Sequence, residues 1–373
     1  MTGEIYLDFN ATSPLHPAVR DEMQQALEEV PGNPSSPHRR GRRARELLDT
    51  ARSRVAHALG VDPDEIFFTS GATESNNLAA ALGEASGRPF YTTSVEHPSL
   101  REPARRRWRR SGTGGEVPVD ASGRVEPAAL TALPSDAVVS IQWVNNETGV
   151  LQDLAALAQG ARASGAIVHT DGAQGFFRLP LRIHELGVDA ASISSHKALG
   201  PVGIGALYVR RGLLVDPVLL GGAQERGVRP GTENVVGACG LGRLAQLVTE
   251  NSPWDWPRLT SLRDGFVDEL TRIDGLELNA PTELTLPNTV SVAVHGLHAE
   301  TILLHLDREG VAASSGSACA RGDTRPSHVL KAMNRPDSAI RSTLRLSFGP
   351  SSTREDLARA AAALRRVVRS LRE

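Results

Sequence analysis

Basic positions in this 373-residue chain are almost all arginine, and lysine occurs only as Lys197 and Lys331. Arginine replaces lysine well as a surface charge, but its guanidinium stays protonated. A lysine amine can lose its proton and attack a carbonyl to form a Schiff base. A lysine kept against that bias is a chemical candidate. Lys331 reads as a surface charge, whereas Lys197 ends Ser194-Ser195-His196-Lys197, between an apolar run and a glycine-rich stretch from Gly200 to Gly205. Cysteine is equally scarce. Cys239 and Cys319 are too few for a disulfide framework or a zinc site, so no metal is expected. Cys239, in Val236-Gly-Ala-Cys-Gly-Leu, sits among small apolar residues and reads as a packed core thiol. Cys319 lies in Ala312-Ala-Ser-Ser-Gly-Ser-Ala-Cys-Ala-Arg-Gly-Asp323, a small-residue stretch bounded by Pro326, as a mobile loop carrying a reactive thiol would be. Arg321 is a nearby cation able to favour its thiolate.

Two further clusters follow apolar runs. Asp171-Gly172-Ala173-Gln174 puts a carboxylate where a strand should end. Such a group can pair with a pyridinium nitrogen and keep it protonated, which makes the ring an electron sink. Phe68-Thr-Ser-Gly-Ala-Thr-Glu-Ser-Asn76 reads as a strand, a small-residue turn and a helix start. Free N–H groups beside hydroxyls there suit a phosphate as readily as a plain capped turn. Gly203-x-Gly205 resembles half of a dinucleotide fingerprint, but it precedes a strand instead of opening a helix and is rejected.

The elements that must position these groups follow from periodicity. Helical patterns at 17–29, 42–59, 151–164, 236–250 and 258–273 alternate with short apolar runs at 66–69, 90–93, 137–142, 167–170, 191–194 and 206–209. That alternation predicts an α/β protein with a largely parallel sheet covered by helices, its ligands at the loops after the strands. The segment 251–257, with two prolines and two tryptophans, reads as a hinge. The expected organisation is a large domain over 14–250 and a small one formed by 1–13 and 251–373, the latter carrying the Cys319 loop at about 312–326.

Composition narrows the function class. With 40% hydrophobic and 23% charged residues the chain can bury a large core, and a net charge of −2 gives no footprint for nucleic acid or an anionic membrane. The arginine-rich runs 39–45 and 101–110 read as solvated helix faces. No apolar run approaches the roughly 20 residues of a membrane helix, and the first ten residues lack a basic flank followed by an apolar stretch. A cytoplasmic location is expected.

The chain closely resembles cysteine desulfurases of the NifS/IscS type, within the class V aminotransferase family of fold-type I pyridoxal-phosphate (PLP) enzymes. The resemblance rests on an ordered set of motifs over nearly the whole length: Tyr6-Leu-Asp-Phe-Asn-Ala-Thr12, Gly32-Asn-Pro-Ser-Ser36, 70–77, Val95-Glu-His97, Val144-Asn-Asn-Glu-Thr-Gly149, 169–174, 194–205, 222–235, Ser314-Ser-Gly-Ser-Ala-Cys319 and 342–349. It implies a mainly parallel seven-stranded sheet in the large domain and a smaller α+β C-terminal domain.

The resemblance further implies that Lys197 holds PLP, Asp171 binds its pyridine nitrogen, Gln174 contacts its ring oxygen and His97 stacks on the ring and shuttles protons. Thr73, Ser194 and His196, with the backbone of Gly71 and Ala72, would hold the phosphate. Thr232 would reach the same phosphate from a second subunit, implying a homodimer. Arg345, assisted by Asn145, would grip the carboxylate of L-cysteine, since its planar fork suits a carboxylate. Cys319 would receive the sulfur as a persulfide and pass it to an acceptor protein, with L-alanine released. Iron–sulfur assembly, tRNA or DNA thiolation and cofactor thiolation all use such donors. An aminotransferase of the same class and a selenocysteine lyase are the alternative readings. Phe9, Ser13 and Ala320-Arg321 depart from the family pattern, and the last pair bears on which acceptor docks.

Overall fold

The computed structural model describes residues 3–29, 32–180, 182–316 and 326–373. Its larger sheet has seven strands in the spatial order Ile66–Thr69, Gly205–Val209, Ala190–Ser194, Ile167–Asp171, Val138–Gln142, Phe90–Thr93 and Gly114–Val117. Gly205–Val209 is antiparallel to both neighbours, and every other pairing is parallel. Three of the strands, Val138–Gln142, Ala190–Ser194 and Gly205–Val209, are buried at every position. Helices cover both faces of such a sheet, so its strands read as unbroken runs of small and apolar residues without alternation.

The helix Arg39–Leu59 shows how the cover is built. Ala44, Leu48, Ala51, Val55 and Leu59 recur at helical spacing and form its buried stripe, packed against Val235–Asn251. It stops at Gly60, whose φ of 71° is left-handed and lets its N–H reach the carbonyls of Ala56 and His57. Arginine in the two basic runs is not wholly solvated as expected. Arg107 is buried in the helix Pro98–Ser111 and donates to the carbonyls of Ala80, Leu82 and Arg88. A guanidinium has five donors, enough to close several loop carbonyls at once while its plane lies over the Phe90 ring, Cζ 5.2 Å from the centroid.

A second sheet is antiparallel, in the order Ser314–Ser315, Thr343–Ser347, Thr289–Val294 and Leu276–Leu278. Its core unites Val290, Val292, Leu344 and Leu346 with Leu259 and Phe266 of one helix and Leu357 and Leu364 of another. Ile5, Leu7 and Phe9 join this core, and Phe9 N donates to Ser347 O at 3.1 Å. The N-terminal segment therefore runs along the strand that carries Arg345 before crossing to the large sheet, where Ser13 N donates to His196 O at 2.8 Å. Among the described residues no helix is long and apolar enough to cross a membrane.

Candidate active site

The C-terminal ends of the parallel strands open onto a cavity of about 500 Å³, closed on the far side by Asp8, Asn10, Ala11 and Arg345. Lys197 enters it from the tight turn that follows Ala190–Ser194, in which Ala198 N and Gly200 N both donate to Ser195 O. A Cβ on Gly200 would lie 2.1 Å from Ser195 Oγ, so this turn admits only glycine there. Lys197 Nζ donates to Asn10 O at 2.7 Å and Ala11 O at 2.6 Å. Its own carbonyl is gripped by Arg178, through Nε at 2.8 Å and Nη2 at 2.5 Å.

Asp171 ends its strand 3% exposed. Its Oδ1 accepts from Ala173 N at 3.0 Å, and its Oδ2 from Asn76 Nδ2 at 2.8 Å. The Asn76 amide also donates to Ser99 Oγ at 2.9 Å, and that hydroxyl lies 2.7 Å from His97 Nδ1. His97 is the N-cap of the helix Pro98–Ser111, its Nδ1 accepting from Ser99 N at 3.1 Å. An Nδ1 that accepts leaves the proton of the neutral ring on Nε2. Burial lowers the His97 pKa, Asp171 opposes this, and Lys197 and Arg345 lower it further, so the ring is neutral near pH 7. Next to it, Glu96 is fully buried and its carboxyl is pushed well above the usual range, first by burial and then by the charge of Asp171. Its Oε1 accepts from Gln142 N at 2.6 Å and Thr93 Oγ1 at 2.8 Å.

Gly71, Ala72, Thr73, Ser194 and His196 line one end of the cavity. Gly71 is the N-cap of the helix Ala72–Ala80 and carries no side chain to cap it, so the first-turn N–H groups face outward unsatisfied by a side chain. Burial, then Lys197 and Arg178, hold His196 down at about 4, which keeps it neutral. Gln174 donates from Nε2 to Asn10 O at 3.0 Å, and its buried Oε1 has no partner among the described residues.

Arg345 reaches the cavity from the second sheet, bonded to Asn146 O at 3.0 Å and Asp8 Oδ1 at 2.7 Å. The companion expected from sequence, Asn145, is not on the cavity wall. Its amide is spent inside the 144–149 loop and its surroundings: Oδ1 accepts from Glu147 N, Thr148 N and Thr148 Oγ1, and Nδ2 donates to Val95 O and Gln142 Oε1. Asn146, one position on, lines the cavity instead. Thr232 is exposed and lies off the cavity of its own chain. Cys319 lies outside the described residues. Lys331 is exposed, and Cys239 is buried with its thiol pushed up to about 11 by burial. Asn76, Ser99 and Glu96 were missed as site residues, although all three stand within or beside quoted motifs.

Comparison with known proteins places this arrangement. The class-V aminotransferase family model matches residues 5–359. Cysteine desulfurase IscS of Dictyoglomus turgidum is 41% identical over 379 residues, covering 100% of this chain and 96% of that protein. A cysteine desulfurase of Gluconacetobacter diazotrophicus is also 41% identical over 379 residues, covering 99% of this chain and 94% of that one. A solved NifS-like protein superposes with a TM-score of 0.90 at 33% identity, with 99% of each chain covered. Full-length similarity of this degree, on a chain folded in the same way, makes it a member of the class-V aminotransferase family, in its cysteine desulfurase branch.

Proposed function

We propose that this protein is a PLP-dependent cysteine desulfurase, a homodimer that converts L-cysteine to L-alanine and transfers the sulfur through Cys319 to an acceptor protein. The observation that carries the reading is the convergence of Lys197, Asp171, His97, Gln174 and Arg345 on one cavity. The residues present suit PLP. An uncapped helix N-terminus with Thr73, Ser194 and His196 offers donors for a phosphate, Asp171 an anion for a pyridinium, and the buried, unpartnered Gln174 Oε1 an acceptor for a ring hydroxyl.

When bound, PLP supplies an electron sink that makes the substrate Cα–H bond acidic. Arg345 fixes the substrate carboxylate and so fixes the direction of that bond. The Lys197 amine takes the proton from Cα and returns one. His97, neutral with its proton on Nε2, can give a proton and recover it without carrying a lasting charge. The Cys319 thiolate attacks the substrate Sγ; the S–Cβ bond breaks with its electrons passing to the carbon fragment, and the new S–S bond is the persulfide. Exposed Leu214, Val218, Leu219 and Leu220, in the stretch leading to Thr232, support the homodimer.

The test is alanine and sulfide release from L-cysteine with a reductant, for the native protein and Cys319→Ala. Alanine formation should be lost in the variant. Undiminished alanine release would remove Cys319 from the mechanism, and amino-group transfer to a keto acid would put the aminotransferase reading in its place.

A further inference from the structure

Asp8 lines the cavity beside Arg345 and forms an ion pair with it that the proposed reaction does not use. The Arg345 side chain is 3% exposed and that of Asp8 23%, so the carboxylate is the more accessible partner. Nη2 is held by Asp8 and Nη1 by Asn146 O, while Nε is buried without a partner among the described residues. An unpaired buried N–H on a guanidinium is costly, and an incoming carboxylate would relieve it. The main chain of Asp8 is fixed at the cavity wall, so its carboxylate stays beside Arg345 in charge range of a seated substrate. Its backbone bridges Ser347, Ser347 N donates to Leu7 O at 2.8 Å, and Tyr6 Oη donates to Asp8 O at 3.2 Å.

The charge count then decides what else the cavity accepts. Among the described lining residues the cations are Lys197 and Arg345 and the anions Asp8 and Asp171, with His97 and His196 neutral near pH 7. Lys197 and Asp171 are committed to the cofactor, whose phosphate adds further negative charge. Arg345 with Asp8 sums to zero before substrate binds and to minus one once a substrate carboxylate is seated. A second anionic group on the substrate side chain would meet that excess, and among the described lining residues no further cation answers it.

We propose that Asp8 is a specificity-determining residue, which confines the site to amino acids with an uncharged side chain and rejects those carrying a second carboxylate. The inference rests on the cavity being the amino-acid site of the proposed function. At a few ångströms in a partly buried site, one uncompensated charge is worth roughly a tenfold change in affinity or more.

The experiment uses the holoenzyme and follows ligand-induced shifts in melting temperature with L-asparagine and L-aspartate, which match in shape and differ in charge. In the native protein asparagine should bind roughly tenfold more tightly than aspartate. Asp8→Asn should bring the two within about twofold, and Asp8→Glu should keep the preference. Equal binding in the native protein, a preference that survives in Asp8→Asn, or no binding of asparagine would each overturn the proposal, and the first and last need no variant to fold. Alanine release from cysteine is measured in parallel. Its absence with the preference intact sinks the desulfurase reading alone, and a missing preference with release intact sinks the role of Asp8 alone.

Discussion

Glu147 Oε2 accepts a hydrogen bond from Ser327 Oγ at 2.5 Å, and a Cβ on Gly316 would lie 3.0 Å from the same oxygen. Both described flanks of the segment 317–325, which contains Cys319, therefore meet at one buried carboxyl group. Ser327 also caps the helix His328–Ala332 by accepting from Leu330 N at 3.2 Å. Ser327→Ala removes a donor from a buried acid and the cap from a helix. It should cost about 1–3 kcal/mol in urea unfolding, and a loss below a few tenths would mean that solvent reaches Glu147.

Burial raises the Glu147 pKa to about 7, against the hydrogen bond of Ser327 and the charge of Arg345, which lower it. A carboxyl whose folded value stands above its unfolded 4.5 binds more protons when folded. Its contribution to stability is complete below about pH 4.5 and is lost as pH rises through about 7. Relative to Glu147→Gln, which cannot ionise, the native protein should lose on the order of 2–3 kcal/mol between pH 4.5 and 8. Parallel pH–stability curves for the two would show that Glu147 titrates as an ordinary exposed acid.

His328 works in the opposite direction. Its Nε2 donates to Glu96 O at 2.9 Å, and burial is the chief cause that lowers it from 6.5 to about 4, against that hydrogen bond, which raises it. A histidine whose folded value is depressed binds fewer protons when folded, so its contribution is present above about 6.5 and disappears as pH falls through 4. His328→Gln, which retains a donor, should flatten the acid limb of the stability curve by about 2–3 kcal/mol between pH 6.5 and 4. An unchanged acid limb would assign the loss to other buried histidines, among them His169, which burial holds at about 3.

Asn76→Ala should leave Asp171 Oδ2 and Ser99 Oγ each without one donor, in the cavity wall next to His97. Asp171 and His97 then lose a shared brace, and PLP retention on dialysis should fall roughly tenfold, the equivalent of one lost charge-assisted hydrogen bond. Retention equal to the native protein's would mean that Ala173 N alone suffices to orient Asp171.

Asn76 also marks the limit of what the sequence discloses. The motif around it was legible as a turn and helix start, because small residues and hydroxyls signal local backbone geometry. The amide's partners, Asp171 and Ser99, are 95 and 23 residues away, and no local pattern specifies them. The strands at 66–69 and 90–93 were predicted to the residue, since each is a short run made of aromatic and β-branched residues. Gly114–Val117 was not, because an edge strand opening on two glycines has neither alternation nor apolar content. Asn145 and Asn146 are chemically identical neighbours, and only the loop's hydrogen bonds decide which faces inward. Lys197 was the most legible site residue, for its chemical type stands out in a chain that otherwise uses arginine.

Arg178 carries that bias into the core. It is 1% exposed, lies 5.1 Å from the Trp254 ring, and donates to Lys197 O, to Asn10 Oδ1 at 3.1 Å and to Phe9 O at 3.3 Å. Burial, with some repulsion from Arg345, lowers it to about 9, so it is still charged at pH 7. Arg178→Met deletes a buried cation, which is favourable, but takes from Lys197 O and Phe9 O their guanidinium donors and leaves Asn10 Oδ1 only the 3.4 Å bond from Asn288 Nδ2, which outweighs the gain because these acceptors stay buried. The expected cost is about 3 kcal/mol of stability. Since the lost bonds hold the Lys197 backbone and the Asn10 segment that its amine contacts, kcat should fall at least about tenfold while KM changes less. Arg178→Lys keeps a charge and up to three donors but not the planar fork, and should recover part of both. A Met variant as stable and as active as the native protein would mean that the strand-end turn positions Lys197 without help.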